Sequence, residues 1–417
     1  MGDMLGAGMS LAKGLMSKKK NNKKGGMAGG MLGMLTGGGD PPTARDLGTV
    51  GPYVHLKGIR SLRSQGFRVW VHLLALFLQP LTIMGLGAVV TAVLANVAHG
   101  CSRAYYEDGA GHFYTGRTMD WQEPTKAQVW AFPQGMKRDG GVGAGSLEWT
   151  SKWNSVVTSF YNVASVDGIN EKGLVGSLLY LVETDYGSQK RGDQKKMSIG
   201  AWLQYVVDNF ATVPEAVAAL QTDDINIISP TLPSGESASG HLAISDAANG
   251  SAILEYIAGR LIIHHGSQYK VMTNSPPYDQ QLALTAYWQE IGGSTFLPGT
   301  HRAADRFARL SYNLHAVPKA SSSILAVATV FSLIRHVSVP LGVWRSVADH
   351  NGGFYYFESV TSPSVFWVNL KSVDFTGGAK RLPWPEEDLA GDVSQKFLPA
   401  EPFPFLRPGG HASHSDL

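Results

Sequence analysis

"CSRAYYEDGAGHFYTGRTMDW", residues 101–121, opens with the only cysteine of a 417-residue chain. It reads as a hairpin, with "CSRAYY" going out, a turn at "EDGAGH", and "FYTGRTMD" coming back. Aromatic and β-branched residues favour strands, and the Asp-Gly cluster between them marks a turn. Paired this way, the second strand returns Arg117 and Asp120 to the side of Cys101. A nearby cation lowers the pKa of a thiol, and a carboxylate steadies a free ammonium. On their own, an Arg and an Asp three apart on a strand are as ordinary as any surface pair.

The sequence upstream gives the cysteine its meaning. The first 100 residues hold 19 of the 49 glycines, 8 of the 12 methionines, and 11 Lys/Arg against 3 Asp, a charge of +8. The remaining residues carry 24 basic and 30 acidic side chains, so −6, and the net +2 averages two unlike pieces. Residues 1–56 are low in complexity and lack an apolar period, which predicts disorder, or a prelude created by an upstream start codon. Residues 57–100 read as an export signal: a basic flank, then thirty residues (69–98) free of Asp, Glu, Lys and Arg, then small residues. Ala98 and Gly100 stand three and one before Cys101, which suits cleavage at the cysteine and export to the periplasm or beyond. The same run is long enough for a retained membrane anchor, although Pro80, Gly85 and Gly87 interrupt it. A lipoprotein signal also ends at a cysteine, but "VAHG" lacks the usual large aliphatic residue three places before it.

Cleavage at that point leaves one residue with both a thiol, pKa about 8.5, and an α-amine, pKa about 7.7–8.0. Such a residue supplies its own nucleophile and base. A single cysteine excludes an intrachain disulfide, a cysteine zinc cage and an iron–sulfur cluster. The mildly acidic remainder argues against nucleic acid as a partner. The chain has no G-x-S-x-G and no H-E-x-x-H, His264 and His265 alternate across a strand end, and "GVGAGS" (141–146) lacks the lysine of a phosphate loop. No metal or organic cofactor is expected.

Beyond the hairpin, residues 241–265 read as three strands joined by tight turns, and 354–359 with 365–370 as another hairpin. Helical spacing marks 199–210, 213–220, 302–315 and 322–336. Strands and helices fall into groups rather than alternating, which predicts an α+β fold with helices packed on antiparallel sheets.

Together with Cys101 and "GRTMDW", the segments "DGINEKGLVGSLLYLVET" (167–184), "SGHLAISDAANGSAILEYI" (239–257), "KVMTNSPPYDQQL" (270–282), "DRFAR" (305–309) and "WRSVADHNGGFYYFES" (344–359) carry a resemblance. The chain from 101 to about 375 resembles the choloylglycine hydrolase family, N-terminal-nucleophile amidases that include penicillin V acylases and bile salt hydrolases. The resemblance implies a four-layer αββα sandwich over residues 101–417, a small-molecule N-acyl amide substrate and a homo-oligomer, a tetramer by analogy. It implies Cys101 as nucleophile, Arg117 and Asp120 flanking it, Asn274 and the Tyr180 backbone N–H as oxyanion donors, and Arg306 as a second arginine. Bile salt hydrolases usually carry Asn at the position of Tyr180, whereas penicillin V acylases often carry an aromatic. Trp121 is similar to the Gram-negative branch, so Trp121 and Tyr180 are candidate pocket walls for an aryl or apolar acyl group. Acyl-homoserine lactones fit the same branch. The rival outside catalysis is an anchored binding protein with Cys101 blocked.

Overall fold

The computed structural model describes residues 100–187, 194–232, 235–291, 296–340 and 342–408. The leader, the apolar run and the last nine residues lie outside them, and so do the expectations of a disordered prelude, an export signal or an anchor. No helix among the described residues is long and apolar enough to cross a membrane.

The expected hairpin is present. Strand β1 (Ser102–Glu107) pairs antiparallel with β2 (Phe113–Asp120), setting Ser102 opposite Thr118 and Arg103 opposite Arg117. Its turn is built on Asp108, whose Oδ1 accepts the backbone N–H of Ala110 at 2.8 Å and of His112 at 2.9 Å. Gly111 takes a φ of +79° there, a conformation that side-chain-bearing residues resist.

These two strands belong to a seven-stranded sheet in the order Val271–Met272, β1, β2, Gly342–Asp349, Phe354–Ser359, Val365–Asn369, Gly391–Asp392. All its pairs are antiparallel except the last. A nine-stranded antiparallel sheet faces it, centred on His241–Ser245, Val175–Leu179, Ala164–Asn170 and Ser155–Phe160. Hydrogen bonds cross between the sheets: Thr158 to the Tyr355 hydroxyl at 2.8 Å, Ser346 to Asp167 at 2.6 Å, and Thr115 to Ser245 at 2.8 Å. Both faces of the central strands are covered, and β2 is buried at every position. Hence they lack the alternation of a half-exposed antiparallel sheet.

Helices α1 (Ile199–Asn209) and α2 (Val213–Leu220) cover the nine-stranded sheet, and α3 (Tyr278–Ile291) packs beside α4 (Ala303–Ala316). With α5 (Ser323–Arg335), α4 covers the seven-stranded sheet. Gly116 of β2 lets α5 come close, since a Cβ there would fall 2.4 Å from Val330 Cγ1. The layers therefore run helix, sheet, sheet, helix, as the family resemblance implies. Four helices match the expected segments to within a residue, while α3 was not expected. Its buried residues are Tyr278, Gln281 and Thr285, two of them polar, whereas Leu282, Leu284, Tyr287 and Ile291 are exposed. The apolar pattern thus fails to mark the face that packs.

Candidate active site

Cys101 sits at the entry to β1 and is buried. Because β2 returns antiparallel, Arg117 Nη2 lies 4.0 Å from Cys101 Sγ, and the Met119 sulfur lies 3.7 Å from it. Arg117 is locked between the sheets. It donates to the carbonyls of Val166 and of Leu178, the latter at 2.7 Å, and lies 3.7 Å from the Asp167 carboxylate. Asp167 in turn accepts from Ser177, Ser346 and Tyr355 at 2.6–2.7 Å.

Asp120 ends the same strand. Its Oδ2 accepts from the Thr118 hydroxyl at 2.9 Å, and that hydroxyl accepts the Ser102 N–H at 3.1 Å. Burial pushes the Asp120 carboxyl up to about 7, with Arg306 and the Thr118 hydroxyl pulling the other way. Arg306, on α4, spans the site. It donates to the Cys101 carbonyl and the Ser102 hydroxyl at 2.6 Å each, and to Asn274 Oδ1 at 2.7 Å. Burial lowers the Arg306 guanidinium, and Asp120 and Cys101 oppose that shift.

Asn274 follows strand Val271–Met272. Its Oδ1 also accepts the Cys101 backbone N–H at 2.9 Å, and its Nδ2 donates to the Tyr180 carbonyl at 2.6 Å. Gly100 is still attached in this chain and buried, its N–H donating to the Asp120 carbonyl at 3.1 Å. An apolar pocket opens on Cys101, about 520 Å³ including its mouth, walled by Met119, Trp121, Phe160, Leu178, Tyr180 and Leu232. Trp121 meets the rings of Phe160 and Tyr180 edge to face, at 5.1 and 5.9 Å between centroids. Its indole N–H donates to the Tyr161 hydroxyl at 3.0 Å.

Every residue singled out in the sequence, Cys101, Arg117, Asp120, Trp121, Tyr180, Asn274 and Arg306, converges on this one place. One thiol, two arginines, a carboxylate and an amide around an apolar cleft form a constellation suited to acyl transfer. The family model for linear amide C-N hydrolases, choloylglycine hydrolase family, matches residues 101–381.

This chain belongs to the choloylglycine hydrolase family.

It is accordingly a hydrolase of carbon–nitrogen bonds in linear amides. It is 41% identical over 363 residues to the penicillin V acylase of Pectobacterium atrosepticum, covering 78% of this chain and 96% of the relative. The solved penicillin V acylase of Agrobacterium tumefaciens shares 43% identity with a TM-score of 0.69, covering 74% of this chain and all of that one. A conjugated bile acid hydrolase from Clostridium perfringens, 20% identical with a TM-score of 0.59, shares the fold over 70% of this chain and 98% of its own.

Within this choloylglycine hydrolase fold, three residues of the site escaped the sequence reading: Met119 beside the thiol, Thr118 bonded to Asp120, and Asp167 beside Arg117. Thr118 and Met119 lie inside "GRTMDW", between Arg117 and Asp120. Asp167 lies inside "DGINEKG", and its only signal is an acidic residue in the middle of a buried strand.

Proposed function

We propose that cleavage after Gly100 turns the Cys101 backbone nitrogen into an α-amine, and that Cys101 then serves as nucleophile and base of a penicillin V acylase-like amidase. The α-amine takes the thiol proton and the thiolate attacks the amide carbonyl, forming a carbon–sulfur bond and an oxyanion. Asn274 Nδ2 spends one proton on the Tyr180 carbonyl and has a second for that oxyanion, beside the Tyr180 backbone N–H. The resulting ammonium returns the proton to the leaving nitrogen as the carbon–nitrogen bond breaks. Water, deprotonated by the same amine, then cleaves the thioester. Arg117 offers the sulfur a cation, and Asp120 offers the ammonium a carboxylate.

The observation that carries the substrate class is the aromatic-walled pocket opening on Cys101. It suits a flat aryl or other apolar acyl group, as in a phenoxyacetyl amide, and the two penicillin V acylases at 41 and 43% identity support that reading. The apolar run ahead of Cys101 supports export before or during cleavage. Exposed apolar side chains on α3, Leu282, Leu284, Tyr287 and Ile291, support a homo-oligomer.

The test combines intact mass with a substrate panel of penicillin V, glycine-conjugated bile acids and acyl-homoserine lactones. A mature N-terminus at Cys101 with the highest kcat/KM on penicillin V is expected, and Cys101→Ser should abolish acyl-enzyme formation while leaving the fold intact. Preference for conjugated bile acids would replace the acylase reading. An internal Cys101 with no turnover would replace catalysis with binding.

A further inference from the structure

Behind Asn274 lies a buried histidine that the chemistry above leaves unused. His241 begins strand His241–Ser245, and Glu255 faces it from the neighbouring strand Ser251–Ile257; both are buried. His241 Nδ1 is 2.7 Å from Glu255 Oε1, and Nε2 is 2.8 Å from the Thr273 carbonyl oxygen. Glu255 Oε2 accepts the Tyr278 backbone N–H at 3.0 Å. The pair thus grips both ends of the turn 273–278, whose second residue is Asn274. Gln281, one helical turn into α3, holds the middle by donating to the carbonyls of Asn274 and Pro276.

Proton counting fixes one ring nitrogen of this pair. A carbonyl oxygen only accepts, so Nε2 must carry a hydrogen. A single proton then lies between Nδ1 and Oε1. The Tyr278 N–H favours the charged carboxylate, and His241 together with the more distant His264 holds the Glu255 carboxyl below its ordinary range, against the effect of burial. The other charged groups around the turn are Glu183, which accepts from the Ser275 hydroxyl at 2.7 Å, Arg306 on α4, which faces Asn274, and Asp120 at the end of β2.

We propose that His241, hydrogen-bonded to Glu255, is a positioning residue that holds both ends of turn 273–278 so that Asn274 faces Cys101. This rests on the oxyanion role given to Asn274 above. A positioned donor acts on the charged intermediate, so loosening it lowers kcat with little change in KM.

Two variants and one spectrum test it, all on the full-length mature enzyme. Ring ¹⁵N shifts at pH 7.5 should show a hydrogen on His241 Nε2, and an unprotonated Nε2 overturns the proposal. His241→Ala should lower kcat about 10- to 100-fold at nearly constant KM, short of the 10²- to 10³-fold typical of losing an oxyanion donor itself. Glu255→Gln keeps both grips: its carboxamide N–H donates to Nδ1, its oxygen accepts from Tyr278, and Nε2–H stays on Thr273. It should lower kcat only about threefold, a partial rescue that total loss of folding cannot mimic. A fall as deep as that of His241→Ala, or a fall in either variant confined to KM, overturns the positioning role. If His241→Ala does not fold, the spectrum and Glu255→Gln decide alone. Absence of turnover in the wild type counts against the amidase reading, whereas the ring spectrum stands independently of it.

Discussion

Arg306 Nη2 lies 2.7 Å from Asn274 Oδ1, and that contact decides which end of the amide faces the Tyr180 carbonyl. A guanidinium has no acceptor, so the atom it touches must be the oxygen, which leaves Nδ2 as the donor. The same side chain holds the Cys101 carbonyl and compensates the buried Asp120. Arg306→Met should therefore lower kcat/KM about 10²-fold. It should also destabilise the fold by about 3 kcal/mol, because the buried Cys101 carbonyl and Asn274 Oδ1 lose a charged donor. Steady-state kinetics and urea unfolding measure the two, and a wild-type rate would remove Arg306 from the account of the amide.

Gly100 is packed tightly where the chain enters the site. A Cβ there would stand 3.2 Å from Val339 Cγ1 and 3.3 Å from Arg306 Nη2, close enough that both must yield by a few tenths of an ångström. Ala should be tolerated with slower maturation. The extra methyls of Gly100→Val have nowhere to go, so the uncleaved chain should accumulate. Intact mass after expression separates the two forms, and full processing of the Val variant would show that residue 100 leaves its seat before cleavage.

How far the sequence carried this picture depended on whether a residue's role was local. The hairpin was legible because the Asp108 turn and the returning strand are contiguous, and the pairing then had to bring Arg117 and Asp120 to Cys101. Asn274 and Arg306 are 173 and 205 residues from Cys101, and no turn or period links them to it. Only likeness to known sequences joined them. Asp167 and His241 stayed hidden for another reason: Asp167 meets Arg117 and Ser346 across the two sheets, and His241 meets Glu255 on a neighbouring strand and Thr273 on a loop, so nothing adjacent in sequence marks them as groups with a task. Helix α3 was missed because its exposed face is the apolar one.

Asp120 makes the uncleaved chain sensitive to pH. Its carboxyl rises from 3.8 to about 7 in the folded state because it is buried. A group raised on folding binds its proton more tightly in the native state, so its contribution is fully present below about pH 4 and is lost as pH climbs toward 7. The Cys101→Ala precursor should accordingly unfold at lower temperature at pH 7.5 than at pH 5. Adding Asp120→Asn should flatten that slope, since the amide does not titrate. An unchanged slope in the double variant would assign the effect to other buried carboxyls such as Asp208 or Asp349, whose pKa values burial also raises.

Tyr180 separates recognition from chemistry within one residue. Its backbone carbonyl holds Asn274 Nδ2, while its ring forms a wall of the pocket against Trp121. Tyr180→Ala leaves the carbonyl in place and removes the wall, so KM for a phenoxyacetyl amide should rise about tenfold, some 1.4 kcal/mol of lost apolar contact. The kcat should stay within about threefold, because the oxyanion donors are backbone and amide groups that the substitution does not touch. A widened pocket should at the same time improve the relative kcat/KM on bulkier acyl groups, including steroid acids. Should kcat collapse while KM holds, the ring would be fixing the geometry around Asn274, and the acyl group would have to be recognised elsewhere in the cleft.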